Sequence, residues 1–137
     1  MLQLLIGKKG TGKTKILLAN VNDAAKSASG NVVFISSNTS QNMYDITSKV
    51  RMTDTSEFDI TSWDEFLGFI CGIISGNFDI TNIFVDGTLK IVKGTMEGFE
   101  DFLANIDGLG KKFDIDFELS VSIDADSAPE YIKKYVK

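Results

Sequence analysis

Apolar, strand-like runs that alternate with helical ones predict an α/β fold. The expected form is a three-layer parallel sheet of about four to five strands flanked by helices, in a single domain spanning residues 1–137. Three observations carry this. Met1–Ile6 is a short apolar run followed by a glycine-rich turn and a helical pattern from Lys15, a strand–loop–helix unit. Two further apolar runs, Asn31–Ile35 and Thr81–Asp86, read as buried strands, and helical patterns separate the runs. Length bounds the rest, since 137 residues supply one core and not two.

The elements follow in chain order. After the first helix Gly30 is expected to act as a C-cap. Ser36–Gln41 is polar loop, and within the ambiguous stretch 44–60 the run Lys49–Thr53 reads as a short extra strand. Ser62-Trp63-Asp64-Glu65 has the S-x-x-E form of a capping box and opens a helix, with Trp63, Phe66, Leu67, Ile70, Ile73 and Ile74 at helical spacing. Cys71 in that helix is expected to be buried, and Gly68 and Gly72 to permit close packing. A further helix is expected from Thr95, with Met96, Phe99, Phe102, Leu103 and Ile106 on one face, ending at Gly108 and Gly110. The last strand lies within Phe113–Ile123, and a short helix from Pro129 to Val136 follows. That strand alternates apolar and polar residues strictly, the pattern of a half-exposed strand, whereas a central strand should be apolar throughout.

Composition excludes several function classes. There is no histidine, which removes His-based acid–base catalysis, Ser-His-Asp triads and His-ligated zinc. A single cysteine excludes an internal disulfide and fits a reducing compartment. No basic segment followed by an apolar one resembles a signal peptide, so a cytoplasmic location is expected. The longest apolar stretch, Phe66–Ile74, is far short of the roughly 20 residues of a membrane span. Net charge is −5 and the lysines form no long basic run, so nucleic acid is not indicated as a partner.

Gly7-Lys8-Lys9-Gly10-Thr11-Gly12-Lys13-Thr14 spells G-x-x-x-x-G-K-T, the phosphate-binding P-loop (Walker A) pattern. Between a strand and a helix such a loop aims backbone N–H groups and the positive end of the helix dipole at one anion. Gly7, Gly10 and Gly12 allow backbone conformations and close approaches that other residues resist. Lys13 is expected to reach the β- and γ-phosphates, and the Thr14 hydroxyl to ligate Mg²⁺. Ile83-Phe84-Val85-Asp86 is three apolar residues and an Asp, the Walker B pattern, whose carboxylate supports the Mg²⁺ shell.

On these motifs the chain resembles the P-loop NTPase superfamily. No N-K-x-D motif and no glycine three places after Asp86 are present, against a GTPase, and no L-S-G-G-Q segment, against an ABC-type ATPase. With one arginine, a nucleotide kinase is a poor match. The remaining resemblance is to a minimal RecA-like ATPase core, faintly similar to the pilus-retraction (twitching-motility) ATPases, although their N-terminal domain and histidine motif are missing. It implies ATP and Mg²⁺ as ligands. It also implies strand order 1-4-3-2, counting the four main strands, with the last strand between the two that carry the motifs.

The resemblance also exposes gaps. Such ATPases orient the attacking water with a carboxylate after the Walker B Asp or at the end of the second strand. Here those places hold Gly87 and Ser36-Ser37-Asn38. Glu97 is a candidate base, though as a first-turn acid it would serve the helix dipole. Arg51 is a candidate arginine finger in trans, which would need a homo-oligomer, and otherwise a surface residue. Ser122 and Asp124 are candidates to sense the γ-phosphate, and Asp54 or Glu57 offers a reserve base. Three functions are expected in descending order. The first is an ATP/Mg²⁺-binding protein with slow or partner-dependent hydrolysis. The second is a nucleotide-responsive assembly module that pairs with itself or another protein without significant catalysis. The third is an arginine-poor small-molecule kinase in which Lys8, Lys9, Lys90 and Lys93 compensate.

Overall fold

The computed structural model describes residues 1–137. Its five strands are β1 (Leu2–Gly7), β2 (Asn31–Ser36), β3 (Arg51–Asp54), β4 (Ile80–Val85) and β5 (Asp116–Ser122). All pair in parallel, in the order β1-β5-β4-β2-β3. β5 therefore lies between β1 and β4, and the ambiguous segment supplies β3 as an edge strand beyond β2. Parallel pairing sends every connection across a face of the sheet. The helices are α1 (Lys13–Ser27), α2 (Trp63–Ser75), a one-turn α3 (Thr88–Ile91), α4 (Phe99–Phe113) and a one-turn α5 (Glu130–Lys133). None is long and apolar enough to cross a membrane.

The two faces are covered unequally. On one, Phe66, Ile70, Phe99, Phe102, Leu103 and Ile106 of α2 and α4 pack on Leu4, Ile35, Ile83, Val85, Phe117 and Leu119. Trp63, Phe99 and Phe102 form an aromatic cluster there, with ring centroids 4.7 and 4.8 Å from Trp63. On the other, Leu17 and Val21 of α1 pack on Val32, Phe34 and Phe84, flanked by Ile46 and Val50 from the chain after β2. This arrangement resolves the alternation of β5. Its apolar residues face the larger core, while Glu118 and Ser120 face the α1 side and are buried with hydrogen-bond partners. Asn20 of α1 donates to Glu118 at 2.8 Å. A polar strand face can be central when each buried group is paired.

The capping box forms: the Glu65 amide donates to Ser62 Oγ at 3.1 Å. The Glu65 carboxylate reaches back one residue further than the motif requires, accepting from the Thr61 amide and hydroxyl at 3.0 and 2.7 Å.

Several expectations are corrected. Gly30 does not cap α1, which ends at Ser27 with Ala28 as its C-cap; it sits where a Cβ would overlap the Asp79 carbonyl oxygen, at the crossing of the chain before β2 and β4. Gly68 and Gly72 lie on the exposed side of α2, where a Cβ would meet nothing within 4 Å, so they mediate no close packing. Cys71 shares that outward side and is exposed. The fourth helix begins at Phe99 and not at Thr95. It also runs through Gly108 and Gly110 to Phe113, while the last strand, Asp116–Ser122, falls within the expected Phe113–Ile123. Gly110 does not stop it because the glycine serves packing: a Cβ there would stand 2.8 Å from the Ile115 carbonyl oxygen of the returning chain.

Candidate functional site

The carboxyl ends of β1, β4 and β5 open into a cleft of about 740 Å³, lined mainly by polar residues. In a parallel sheet with helices on both faces, this edge is where a ligand has access to loop backbone. The cleft is built from the loop Gly7–Thr14, the Asp86–Lys90 turn and the end of β5.

The loop's conformation depends on glycine at two positions. Gly10 and Gly12 have φ of +85° and +88°, in the left-handed region, and a Cβ on either would point into open space. Gly12 is also the N-cap of α1. The first intrahelical bond runs from the Ile16 amide to the Gly12 carbonyl, which leaves the amides of Lys13, Thr14 and Lys15 without an acceptor in the chain. No acidic residue stands in the first turn to satisfy them. The loop therefore offers unpaired N–H donors and a helix dipole to an anion.

Lys13 is the buried cation of the site, with the residue only 9% exposed. Its ammonium donates to the Lys8 carbonyl at 2.9 Å, folded back against its own loop. Burial lowers its pKa from the ordinary lysine value; the Asp86 charge opposes that shift and Lys90 adds to it.

Opposite the loop, Asp86 follows the last residue of β4, its amide donating to the Ile35 carbonyl of β2 at 2.9 Å. The Thr14 hydroxyl donates to its carboxylate at 3.2 Å. The Ser120 hydroxyl of β5 donates to the same carboxylate at 2.8 Å and accepts from the Gly87 amide, also at 2.8 Å. One buried hydroxyl thus fixes both the carboxylate and the turn that follows it. Gly87, with φ of +63°, redirects the chain into α3.

The cleft brings together Lys9, Gly10, Gly12, Lys13, Thr14 and Asp86 of the expected residues. Gly7, Lys8 and Thr11 support the loop from behind. The Thr11 hydroxyl donates to the Lys8 carbonyl at 2.7 Å, and the Lys8 side chain pairs with Asp124 at 3.5 Å. Asp124 is thereby engaged outside the cleft lining, while Ser122 lines it. Glu97 is exposed, lies in a turn before α4, and does not line the cleft. Arg51 begins β3 at the opposite, amino-terminal end of the sheet, so within one chain it stays away from the site. Asp54 caps the turn after β3, accepting from Ser56 and Thr39, and Glu57 lies in that same turn. Lys93 is outside the cleft lining.

Lys15, Leu18, Asp45, Gly87 and Ser120 also line the cleft without being among the expected site residues, and two of them, Ser120 and Asp45, come from outside both motif segments. In the sequence Ser120 is one of the polar residues that alternate along the last strand. Its signal was a hydroxyl on the polar face of β5, one residue beyond the Val85–Leu119 pairing and so level with Asp86. Asp45 lines the cleft because the Asn22 side chain clamps its segment to α1, donating to the Asp45 carbonyl and accepting from the Thr47 amide. No local pattern announces that contact.

No protein-family model matches this chain, and no curated protein matches it significantly.

Proposed function

We propose that this chain binds a nucleoside triphosphate with Mg²⁺, ATP in the first instance, through a P-loop of RecA-like type. Hydrolysis on this reading is slow or dependent on a partner. The observation that carries it is the convergence of Thr14 and Asp86. Residues 72 positions apart meet at 3.2 Å beside a glycine loop that leads into the unpaired amides of Lys13, Thr14 and Lys15.

The donor chemistry suits the ions invoked. Mg²⁺ prefers oxygen ligands and keeps waters and substrate phosphates in its shell instead of an all-protein cage. Thr14 and Asp86 present hard oxygens, and no cluster of three metal-ligating side chains exists to form a cage. Thr14 would hold the ion directly and Asp86 through water. When bound, Mg²⁺ neutralises charge developing on the phosphates. The chain's own residues then bind and orient: amides of Gly12–Lys15 cradle the phosphates, and Lys13 turns from the Lys8 carbonyl towards them. Ser120 keeps the Asp86 carboxylate aimed at the cleft.

The cleft is better equipped to bind than to hydrolyse. Its only acids are Asp86, already engaged by two hydroxyls, and Asp45 at the rim. Arg51 could enter a site only from a second copy of the chain.

The test is thermal denaturation with and without Mg-ATP. A ligand that binds only the folded state stabilises it by mass action, by about 2.7 kcal/mol at a hundred times Kd, and so raises the midpoint. Lys13→Ala should abolish most of the rise. Asp86→Asn should weaken Mg-ATP binding much more than binding of metal-free ATP. Equal responses of wild type and Lys13→Ala would overturn the assignment.

A further inference from the structure

We propose that Lys90 is a second cation on the terminal phosphate of the bound nucleotide, so that this cleft separates triphosphate from diphosphate with a residue of its own chain. The inference rests on the nucleotide reading above and goes beyond it in assigning specificity to a residue outside both motifs.

The placement of Lys90 is fixed by its neighbours. Gly87 turns the chain at the end of β4, and the Lys90 amide donates to the Gly87 carbonyl at 2.9 Å. Thr88 and Ile91 on either side are buried, which anchors α3 and leaves the Lys90 side chain exposed in the cleft lining. Lys90 follows Asp86 by four residues across the Gly87 turn, so it lines the Asp86 side of the cleft. Lys9 and Lys15, the other exposed lysines of the cleft, belong to the loop and to α1.

Electrostatics supplies the second line. Lys9, Lys13, Lys15 and Lys90 line one cleft in a chain of net charge −5, against Asp45 and Asp86 alone. None of the four lysines makes an ion pair; the four salt bridges of the molecule lie elsewhere. Lys90 and Lys13 line the same cleft from two different segments, α3 and the start of α1. Two unpaired ammonium groups facing one space repel, and an anion with several charged oxygens between them relieves that repulsion. A terminal phosphate beside Thr14 and Asp86 is such a group. The only arginine, Arg51, lies at the other end of the sheet and cannot fill this place in cis.

The experiment is isothermal titration of the full chain with Mg-ATP and with Mg-ADP, for wild type, Lys90→Ala, Lys90→Arg and the charge control Lys26→Ala. A charge-assisted contact is worth about 1.5–3 kcal/mol, so Lys90→Ala should weaken Mg-ATP about tenfold or more. Mg-ADP should change less than about threefold. Lys90→Arg should restore most of the discrimination, and Lys26→Ala, at the far end of α1, should match wild type. Equal losses for ATP and ADP, or no loss for either, would overturn the role of Lys90 while leaving nucleotide binding intact. A wild-type chain that binds neither nucleotide would instead remove the underlying reading, and the inference with it.

Discussion

Ser120 gives the most searching test of the site's construction, because its one oxygen holds two groups that the cleft needs. Ser120→Ala deletes the 2.8 Å hydrogen bond to Asp86 and leaves the Gly87 amide without its acceptor, at a residue only 2% exposed. The bond to a carboxylate is worth about 1.5–3 kcal/mol and the neutral one about 0.5–1.5 kcal/mol. Asp86 lines an open cleft, so water replaces part of the first. A net loss of about 2 kcal/mol is the expected result. For a domain of this size that corresponds to a fall in Tm of about 8 °C. Urea titration gives the free energy and calorimetry the midpoint. Ser122→Ala, two residues along the same strand face, is the control: Ser122 is exposed and makes no side-chain hydrogen bond, so its loss should stay below about 0.5 kcal/mol. A Ser120→Ala protein as stable as the Ser122→Ala control would refute the claim that this hydroxyl organises the turn.

The glycines make a paired prediction: Gly30→Ala should cost several kcal/mol or prevent folding, because its Cβ would collide with backbone at Asp79. Gly68→Ala, exposed in the middle of α2, should stabilise by about 0.5–1 kcal/mol in the same urea assay. Acid should destabilise the fold through two carboxylates. Hydrogen bonds from Ser56, then Thr39, hold Asp54 below its ordinary pKa, and bonds from Thr61, then Ser62, do the same for Glu65. Their folded values lie below the unfolded ones, so the stabilisation is complete above about pH 4–5 and drains away as pH falls through the folded values. Tm measured from pH 6 to 3 should decline below about pH 4.5, and Asp54→Asn with Glu65→Gln should flatten that decline. For hydrolysis, a positioned base contributes about 10²–10⁴-fold and an arginine finger about 10³–10⁵-fold. With neither in place, the isolated chain should turn over ATP well below about one per second. A purified monomer running at several per second would point to Asp45 as the base, testable with Asp45→Asn.

What could be read from the sequence was what local chemistry determines. β1, β2 and β4 are short, predominantly apolar runs, and Ser62–Glu65 carries its own cap, so these elements fell within a residue or two of their expected places. The edge strand β3 was ambiguous because Arg51-Met52-Thr53-Asp54 buries little and draws its order from β2. The glycines misled for a related reason. A glycine in a sequence marks either a special φ or a close approach, and only the tertiary structure decides between them. Gly110 tolerates a helical backbone because the Ile115 carbonyl passes over it. Cys71 lies one position past Ile70 on α2, far enough around the helix to turn from core to surface. In the cleft, the motif residues and Lys90 were legible, while Ser120 and Asp45, which arrive from two other segments, were not.

The pairing of β1 has a consequence for how the chain comes to be folded. Leu2–Gly7 touches the sheet only through Asp116–Ser122, with a further bond from the Leu4 amide to the Tyr135 carbonyl. Synthesis delivers β1 before the rest of the sheet and both of its neighbours after it. While the ribosome works through the intervening residues, β2, β3 and β4 can associate, but the first strand has no ledge on which to settle. The glycine loop hangs from that strand, so it can take up its shape only when the C-terminal strand has emerged and slotted between β1 and β4. Pairing across such a separation in sequence is slow. A nascent or truncated chain that lacks β5 would carry the whole G-x-x-x-x-G-K-T segment and still have no site. On the proposed reading, nucleotide binding would therefore require β5 to be in place.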